Sequence, residues 1–162
     1  MRRTLVLLAF LAGAAAAYAG SGPPPDVAAR ARGAGKVVVA RITDVHAHFE
    51  INRFGDQLIV SDAVLEVLET WKGQPESSLE VAVEGGTVGE LTLRVSDMPS
   101  LSRGERAVFF LDSSDRGMHT PNGRGQGILK LDANDNVEGS TVALDDLRQR
   151  VRNALGQGRG GR

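Results

Sequence analysis

The stretch that decides the fold is residues 37–51, which read VVVARITDVHAHFEI. In its first half, alternate apolar side chains share one face of a strand, as a period of two requires; these are Val38, Ala40 and Ile42. In its second half the apolar positions change phase and become Val45, Ala47, Phe49 and Ile51. A slip of one residue near Thr43 and Asp44 is what a β-bulge produces. The sequence therefore predicts a long first strand that bends at this point.

Further strand patterns follow along the chain. Alternating or continuous apolar runs occupy residues 58–70, 79–83, 91–95, 107–111, 127–131 and 137–142, and the last two flank a polar turn at 132–136. The run 107–111 is continuously apolar, which indicates a strand buried on both faces. A helix follows, because one apolar stripe before Gly156 comprises Leu144, Leu147, Val151 and Leu155. This order predicts a mainly β domain, a small antiparallel OB-like barrel with one C-terminal α-helix.

Composition limits the classes of function. The chain has 162 residues, which suits one domain, and 41% of them are hydrophobic, which is typical of a globular protein. With 19 basic and 20 acidic residues, no strong field attracts nucleic acid, and we predict no nucleic-acid partner. The chain contains no cysteine, which excludes disulfides, thiolate nucleophiles, iron–sulfur clusters and cysteine-based zinc sites.

The N-terminus carries an export pattern. Arg2 and Arg3 precede an almost wholly apolar run at 5–17, and Ala17 and Ala19 fit an A-x-A cleavage site. We predict a signal peptide over residues 1–19 and a secreted or periplasmic protein, with no stable membrane insertion after cleavage. The alternative is an uncleaved anchor, although the apolar run is shorter than the roughly 20 residues that span a bilayer.

Two further segments flank the predicted domain, which we place at residues 36–155. Residues 20–35 are rich in glycine, proline, alanine and arginine and predict a flexible leader. Residues 156–162 read GQGRGGR and predict a disordered tail, since they offer no apolar side chain to a core.

Several strand and turn motifs resemble those of a known group. They are residues 36–42, 64–73, the pair Gly85-Gly86, residues 103–111 and the pair Gln126-Gly127. In this order they look like the netrin-like OB-type barrels, which include the tissue inhibitors of metalloproteinases, and like secreted bacterial relatives. The resemblance implies a small barrel fold. Those inhibitors chelate the protease zinc through an N-terminal cysteine, which this chain lacks, so that activity is not carried over.

Three histidines raise the question of a metal. His46 and His48 alternate with Ala47, so they project from the same face of the first strand as Asp44, and imidazoles so placed suit Zn²⁺ or Cu²⁺. His119, in a glycine-rich loop, is the third candidate ligand. The alternative, which we favour, is that His46 and His48 lie on the solvent face without metal. We predict no cofactor.

Two other residues are candidates for binding a partner. Trp71 lies at the end of the second strand pattern and could bind a partner. The alternative is that its side chain packs in the core or closes one end of the barrel. The glycine-rich loop at 118–127 contains Arg124, and loops on rigid barrels commonly carry binding contacts.

The function predicted from the sequence is binding. No G-x-S-x-G, S-x-x-K or H-E-x-x-H motif occurs, so we expect no enzyme. The first hypothesis is a secreted, non-enzymatic module for an unknown protein or small ligand. The alternative is an envelope metal-binding protein that uses His46 and His48, and an enzyme comes third.

Overall fold

The computed structural model describes residues 26–52, 54–113 and 117–156. Its elements, in chain order, are α1 (Val27–Gly33), β1 (Lys36–Ile51), β2 (Gln57–Lys72), β3 (Ser78–Glu84), β4 (Gly86–Val88), β5 (Leu91–Leu93), β6 (Arg106–Ser113), β7 (His119–Pro121), a 3₁₀ turn (Arg124–Gly127), β8 (Ile128–Leu131) and α2 (Leu144–Gly156). The mainly β class with a C-terminal helix is confirmed. The predicted signal peptide at 1–19 and the first part of the leader lie outside the described residues. Of the tail predicted at 156–162, Gly156 is the last residue of α2, and the rest lies outside the described residues.

The long first strand is present and bends where the sequence predicts. β1 pairs antiparallel with β2 along its whole length, and the register shifts between Ile42 and Asp44. The Thr43 hydroxyl donates to the Val64 carbonyl across this bulge at 3.1 Å. The N-terminal half of β1, from Lys36 to Arg41, also pairs with β6.

The strand pairings run from one neighbour to the next and return to β1. Six strands form one sheet in the order β1-β2-β3-β7-β6-β8, and β6 also pairs with β1. The step from β3 to β7 is parallel and rests on one residue pair, Val81 with His119. Since closure depends on that single pair, the closed OB-like barrel stays a prediction.

Apolar residues form two cores, one on each side of β6. Phe109 and its neighbours pack inside the curved sheet with Ile42, Leu65 and Val81. Phe110 points the other way and belongs to a second core, shared with Leu147 and other residues of α1 and α2. Both phenylalanines have no exposed surface. The prediction that 107–111 is buried on both faces is therefore confirmed.

The prediction of a flexible leader is wrong for its last part, because α1 lies there. Asp26 caps this helix, its side chain accepting from the Ala29 N–H at 2.9 Å. Val27 and Ala31 are buried in the second core. At the other end, the Lys72 ammonium donates to the Ala31 carbonyl at 2.9 Å, where a cation also suits the helix dipole.

The predicted strand at 137–142 is also wrong. The structure has turns there, with isolated bridges that pair Leu131 with Val137 and Asn136 with Ala143. The polar turn before it is present: the Asp132 carboxylate accepts from the N–H groups of Asn134 and Asn136 at 2.8 and 2.9 Å. These hydrogen bonds lower the pKa of Asp132.

The C-terminal helix agrees with its predicted stripe except at the end. Leu144, Leu147 and Val151 are buried in α2, whereas Ala154 takes the fourth buried position that we predicted for Leu155. Among the helices in the described ranges, none is long and apolar enough to cross a membrane.

Candidate functional site

A cavity of about 620 Å³ lies at one end of the curved sheet. One wall is the inner face of β1, β2 and β3, a second is the β4–β5 hairpin, and a third is the irregular segment 94–101, which we call the capping segment. The lining residues are Val45, Ala47, Ser61, Val83, Glu84, Gly85, Gly86, Thr87, Thr92, Leu93, Arg94, Val95, Ser96, Met98, Pro99, Ser100 and Leu101. Its volume falls within the range of small-molecule sites.

The cavity combines an apolar floor with polar groups. Val45, Ala47 and Val83 supply the floor from the inner face of the sheet, because alternate strand residues share one face. Hydroxyl groups also line it, but that of Ser61 is already used, since it donates to the Gly85 carbonyl at 2.7 Å. The hydroxyls of Thr87 and Thr92 hydrogen-bond each other at 2.9 Å. The other side-chain hydroxyls of the lining belong to Ser96 and Ser100.

The hairpin wall is held against the sheet by a glycine. A Cβ added at Gly86 would lie 2.3 Å from the Ser61 hydroxyl and 3.0 Å from the Ala47 Cβ, so only glycine lets β4 approach so closely. Its φ of 134° is also one that other residues rarely adopt. This contact fixes the wall of the cavity without a side chain.

The capping segment is held by the 3₁₀ turn. The Arg124 guanidinium forms ion pairs with Asp97 of the capping segment and with Glu84 of β3, the latter at 2.8 Å. Hydrogen bonding to Arg124 lowers the pKa of Asp97. Arg124, predicted as a partner-binding residue, is thus placed next to the cavity but is engaged within the molecule.

The glycine after Arg124 also contacts the capping segment. We call the contacts of Arg124 and Gly125 with this segment the clasp. The Gly125 N–H donates to the Asp97 carbonyl at 3.1 Å. A Cβ at Gly125 would lie 2.0 Å from that oxygen and 2.7 Å from Pro99 Cδ. The Asp97 backbone and the Pro99 ring leave no space for a side chain, so the turn and the capping segment require glycine here.

One arginine that lines the cavity, Arg94, lacks a partner within the described part of the chain. Arg94 is exposed and lines the cavity, and within the described ranges its side chain forms neither an ion pair nor a hydrogen bond. Such a guanidinium is available to a carboxylate or another anionic group, which it can bind through two parallel hydrogen bonds.

The predicted histidine pair is present, but the third ligand is elsewhere. The rings of His46 and His48 stack with centroids 6.1 Å apart, and His48 Nδ1 lies 3.5 Å from an Asp62 carboxylate oxygen. His119 is in the short strand β7 rather than in the predicted loop, and β7 pairs with β3 and β6, not with β1. No group of three or more histidines and carboxylates in the described part of the chain is placed to hold a metal ion.

Trp71 is engaged within the molecule. It is half-buried and packs against the core beneath the helices. Its indole N–H donates to the Glu69 carboxylate at 2.9 Å, and the Arg148 guanidinium lies 5.8 Å from the ring centroid. Arg148 also donates two hydrogen bonds to Glu69, which lower the pKa of that carboxyl. Trp71 therefore joins β2 to α2.

The cavity itself was not predicted from the sequence. Its floor residues read as ordinary strand positions, and Arg94 stands in a run with no motif. The pair Gly85-Gly86 indicates a turn at this position. A turn motif does not show which surface the following hairpin covers, so it does not predict the cavity. No family model matches this chain, and no curated protein matches it either.

Proposed function

We propose that this chain is an exported, non-enzymatic binding module that holds a small amphipathic anion in the cavity. The observation that carries the proposal is that Arg94, which has no ion-pair or hydrogen-bond partner among the described residues, lines a cavity of suitable volume with an apolar floor. The apolar floor would take the body of the ligand, and Arg94 would bind its anionic head.

Two further features support binding rather than catalysis. The Arg124 clasp and the Gly86 contact hold the cavity walls within the free protein, and a site that is already formed loses less entropy when a ligand binds. The turn and strand motifs that resemble netrin-like modules include no catalytic residue. Export rests on the signal pattern at residues 1–19.

The test is isothermal titration calorimetry with decanoate as the probe and decan-1-ol as its uncharged counterpart. We expect decanoate to bind the purified chain more tightly than decan-1-ol. Arg94→Gln should weaken decanoate binding about tenfold or more, because a charge-assisted hydrogen bond is lost. Arg150→Gln, which neutralises an exposed arginine of α2, is the matched control and should leave binding unchanged.

A second variant tests the location. Val45→Trp places a large ring into the cavity and should abolish binding of both probes, whereas Val64→Trp alters a half-buried valine on the opposite face of the sheet and should not. The proposal is refuted if decanoate does not bind, or if it binds the Val45→Trp variant as well as the unmodified chain.

A further inference from the structure

The second half of β1 has a strand neighbour on one side only. β6 pairs with Lys36 to Arg41. The last backbone hydrogen bonds on that side are made by Ile42, whose N–H donates to the Glu105 carbonyl at 2.9 Å and whose carbonyl accepts from the Gly104 N–H at 2.8 Å. From Asp44 to Ile51, β1 pairs with β2, and no other described strand pairs with it. These eight residues form an open edge, and they include no proline or lysine, the residues that commonly protect such edges.

The hydrogen bonds at the β1–β2 turn show which backbone groups face outward. The Asn52 N–H donates to the Asp56 carbonyl, so this pair is hydrogen-bonded, and pairs alternate along an antiparallel ladder. Phe49 and Ile59, three pairs further along, therefore exchange no backbone hydrogen bonds with each other. This agrees with the Ile59 carbonyl, which points away from β1 and accepts from the Gly85 N–H. The outward N–H and C=O groups of β1 thus belong to Val45, Ala47, Phe49 and Ile51.

The side chains of these four residues share one face, which is apolar. Val45 and Ala47 line the cavity, whereas Phe49 and Ile51 are 42% and 60% exposed. The open edge therefore carries backbone groups that no strand in the described ranges pairs with, and two of its four outward-facing residues, Phe49 and Ile51, also expose apolar side chains.

We propose that the open edge pairs with the same edge of a second copy of this chain, antiparallel, about a two-fold axis at His48. In this register Val45 lies opposite Ile51 of the second copy, and Ala47 lies opposite its Phe49. All four are outward-facing residues, so each pair exchanges both backbone hydrogen bonds, as antiparallel pairing requires. Each exposed apolar side chain also meets an apolar side chain.

The charges on the other face of the strand support the same register. His46 lies opposite Glu50 of the second copy, which places an imidazole beside a carboxylate. Shifting the axis by one residue to Ala47 would place Asp44 opposite Glu50, two like charges. The segment is thus self-complementary about His48, and a two-fold axis uses the same surface on both copies.

The first test is a cross-link in a chain that otherwise has no cysteine. At the axis, two His48 Cα atoms would be about 4.5 Å apart, and disulfides span roughly 4.4–6.8 Å. His48→Cys should therefore form a disulfide-linked dimer with oxidised glutathione. His46→Cys is the matched control on the same face, because its two copies would be offset by about 13 Å along the strands. Equal cross-linking of both variants would overturn the proposal.

The second test needs no cysteine. Sedimentation velocity over a concentration series should show dimers of the unmodified chain, and Ile51→Lys should shift it to the monomer. Leu91→Lys is the control, since Leu91 is 62% exposed, as Ile51 is 60%. His46→Glu should weaken the dimer at least tenfold, and adding Glu50→Lys should restore it, which a general loss of stability would not do. A monomer at every concentration refutes the proposal, even if the edge captures a peptide from another protein.

Discussion

Replacing Phe110 by alanine tests the second core most directly. The side chain has no exposed surface and belongs to the core between the sheet and both helices. Removing a buried phenylalanine ring lowers the free energy of unfolding by about 3–5 kcal/mol. The variant loses the favourable transfer of the ring from water to the core, and the cavity left behind destabilises it further. That is a large fraction of the 5–15 kcal/mol that is typical of a domain.

The assay is urea unfolding followed by circular dichroism. With a dependence of roughly 1–3 kcal/mol per molar urea, the midpoint of the Phe110→Ala variant should fall by about 1 M or more. Phe54→Ala is the matched control, because Phe54 is 75% exposed and its loss should change stability by no more than about 0.5 kcal/mol.

Phe109→Ala extends the comparison to the core inside the sheet. Its side chain is as fully buried as that of Phe110, so its cost should lie in the same range of about 3–5 kcal/mol. If Phe110→Ala loses no more stability than Phe54→Ala, then the helices do not pack on β6 and the two-core description is wrong.

The other predictions concern the clasp, an ion pair and the histidines. Gly125→Ala should free the capping segment, seen as faster proteolysis near Asp97, whereas Gly156→Ala should not, because an added Cβ there meets nothing within 4 Å and the backbone is not left-handed. The pKa of Glu69 lies below its ordinary 4.5, so its contribution to stability is present above pH 4.5 and is lost as the pH falls through the lowered value; unfolding of Glu69→Gln should lack that step. Without a His tag, the purified chain should carry well under one equivalent of zinc, and stoichiometric zinc lost in His46→Ala would contradict this.

Local patterns predicted the main strands β1, β2, β3 and β6, but they did not predict the short strands β4 and β7, and the strand predicted at 137–142 was wrong. The phase change at Thr43 predicted the bulge of β1, and the continuous apolar run of β6 predicted burial on both faces. Both signals come from the spacing of apolar side chains within a single strand. These signals can therefore be recognised without knowing which strands pair with each other.

The helix α1 was missed because its buried face consists of small residues. Val27, Ala31 and Ala34 are spaced as one helical face, but two alanines among glycine, proline and arginine give a weak hydrophobic signal. Asp26, an acceptor at the N-cap, was the available clue. The helix is stabilised by contacts with α2 and Lys72, which lie far away in sequence.

The candidate site depends even more on distant contacts. The cavity forms where the capping segment crosses the end of the sheet, and Arg124 holds it there through Asp97. No local pattern indicates that these residues meet. The same holds for Trp71, whose position against α2 depends on Arg148 and Glu69.

The two neighbours of β1 differ in how far away they are along the chain, which has a consequence for folding kinetics. β2 follows after a short turn, whereas the pairing with β6 joins Arg41 to Arg106 and Lys36 to Leu111. Closing so long a loop costs chain entropy, and folding slows as contacts become less local. We therefore expect the β1–β2 hairpin to form early and β6 to dock late. The arrival of β6, which completes both cores at once, would then set the folding rate of the whole domain.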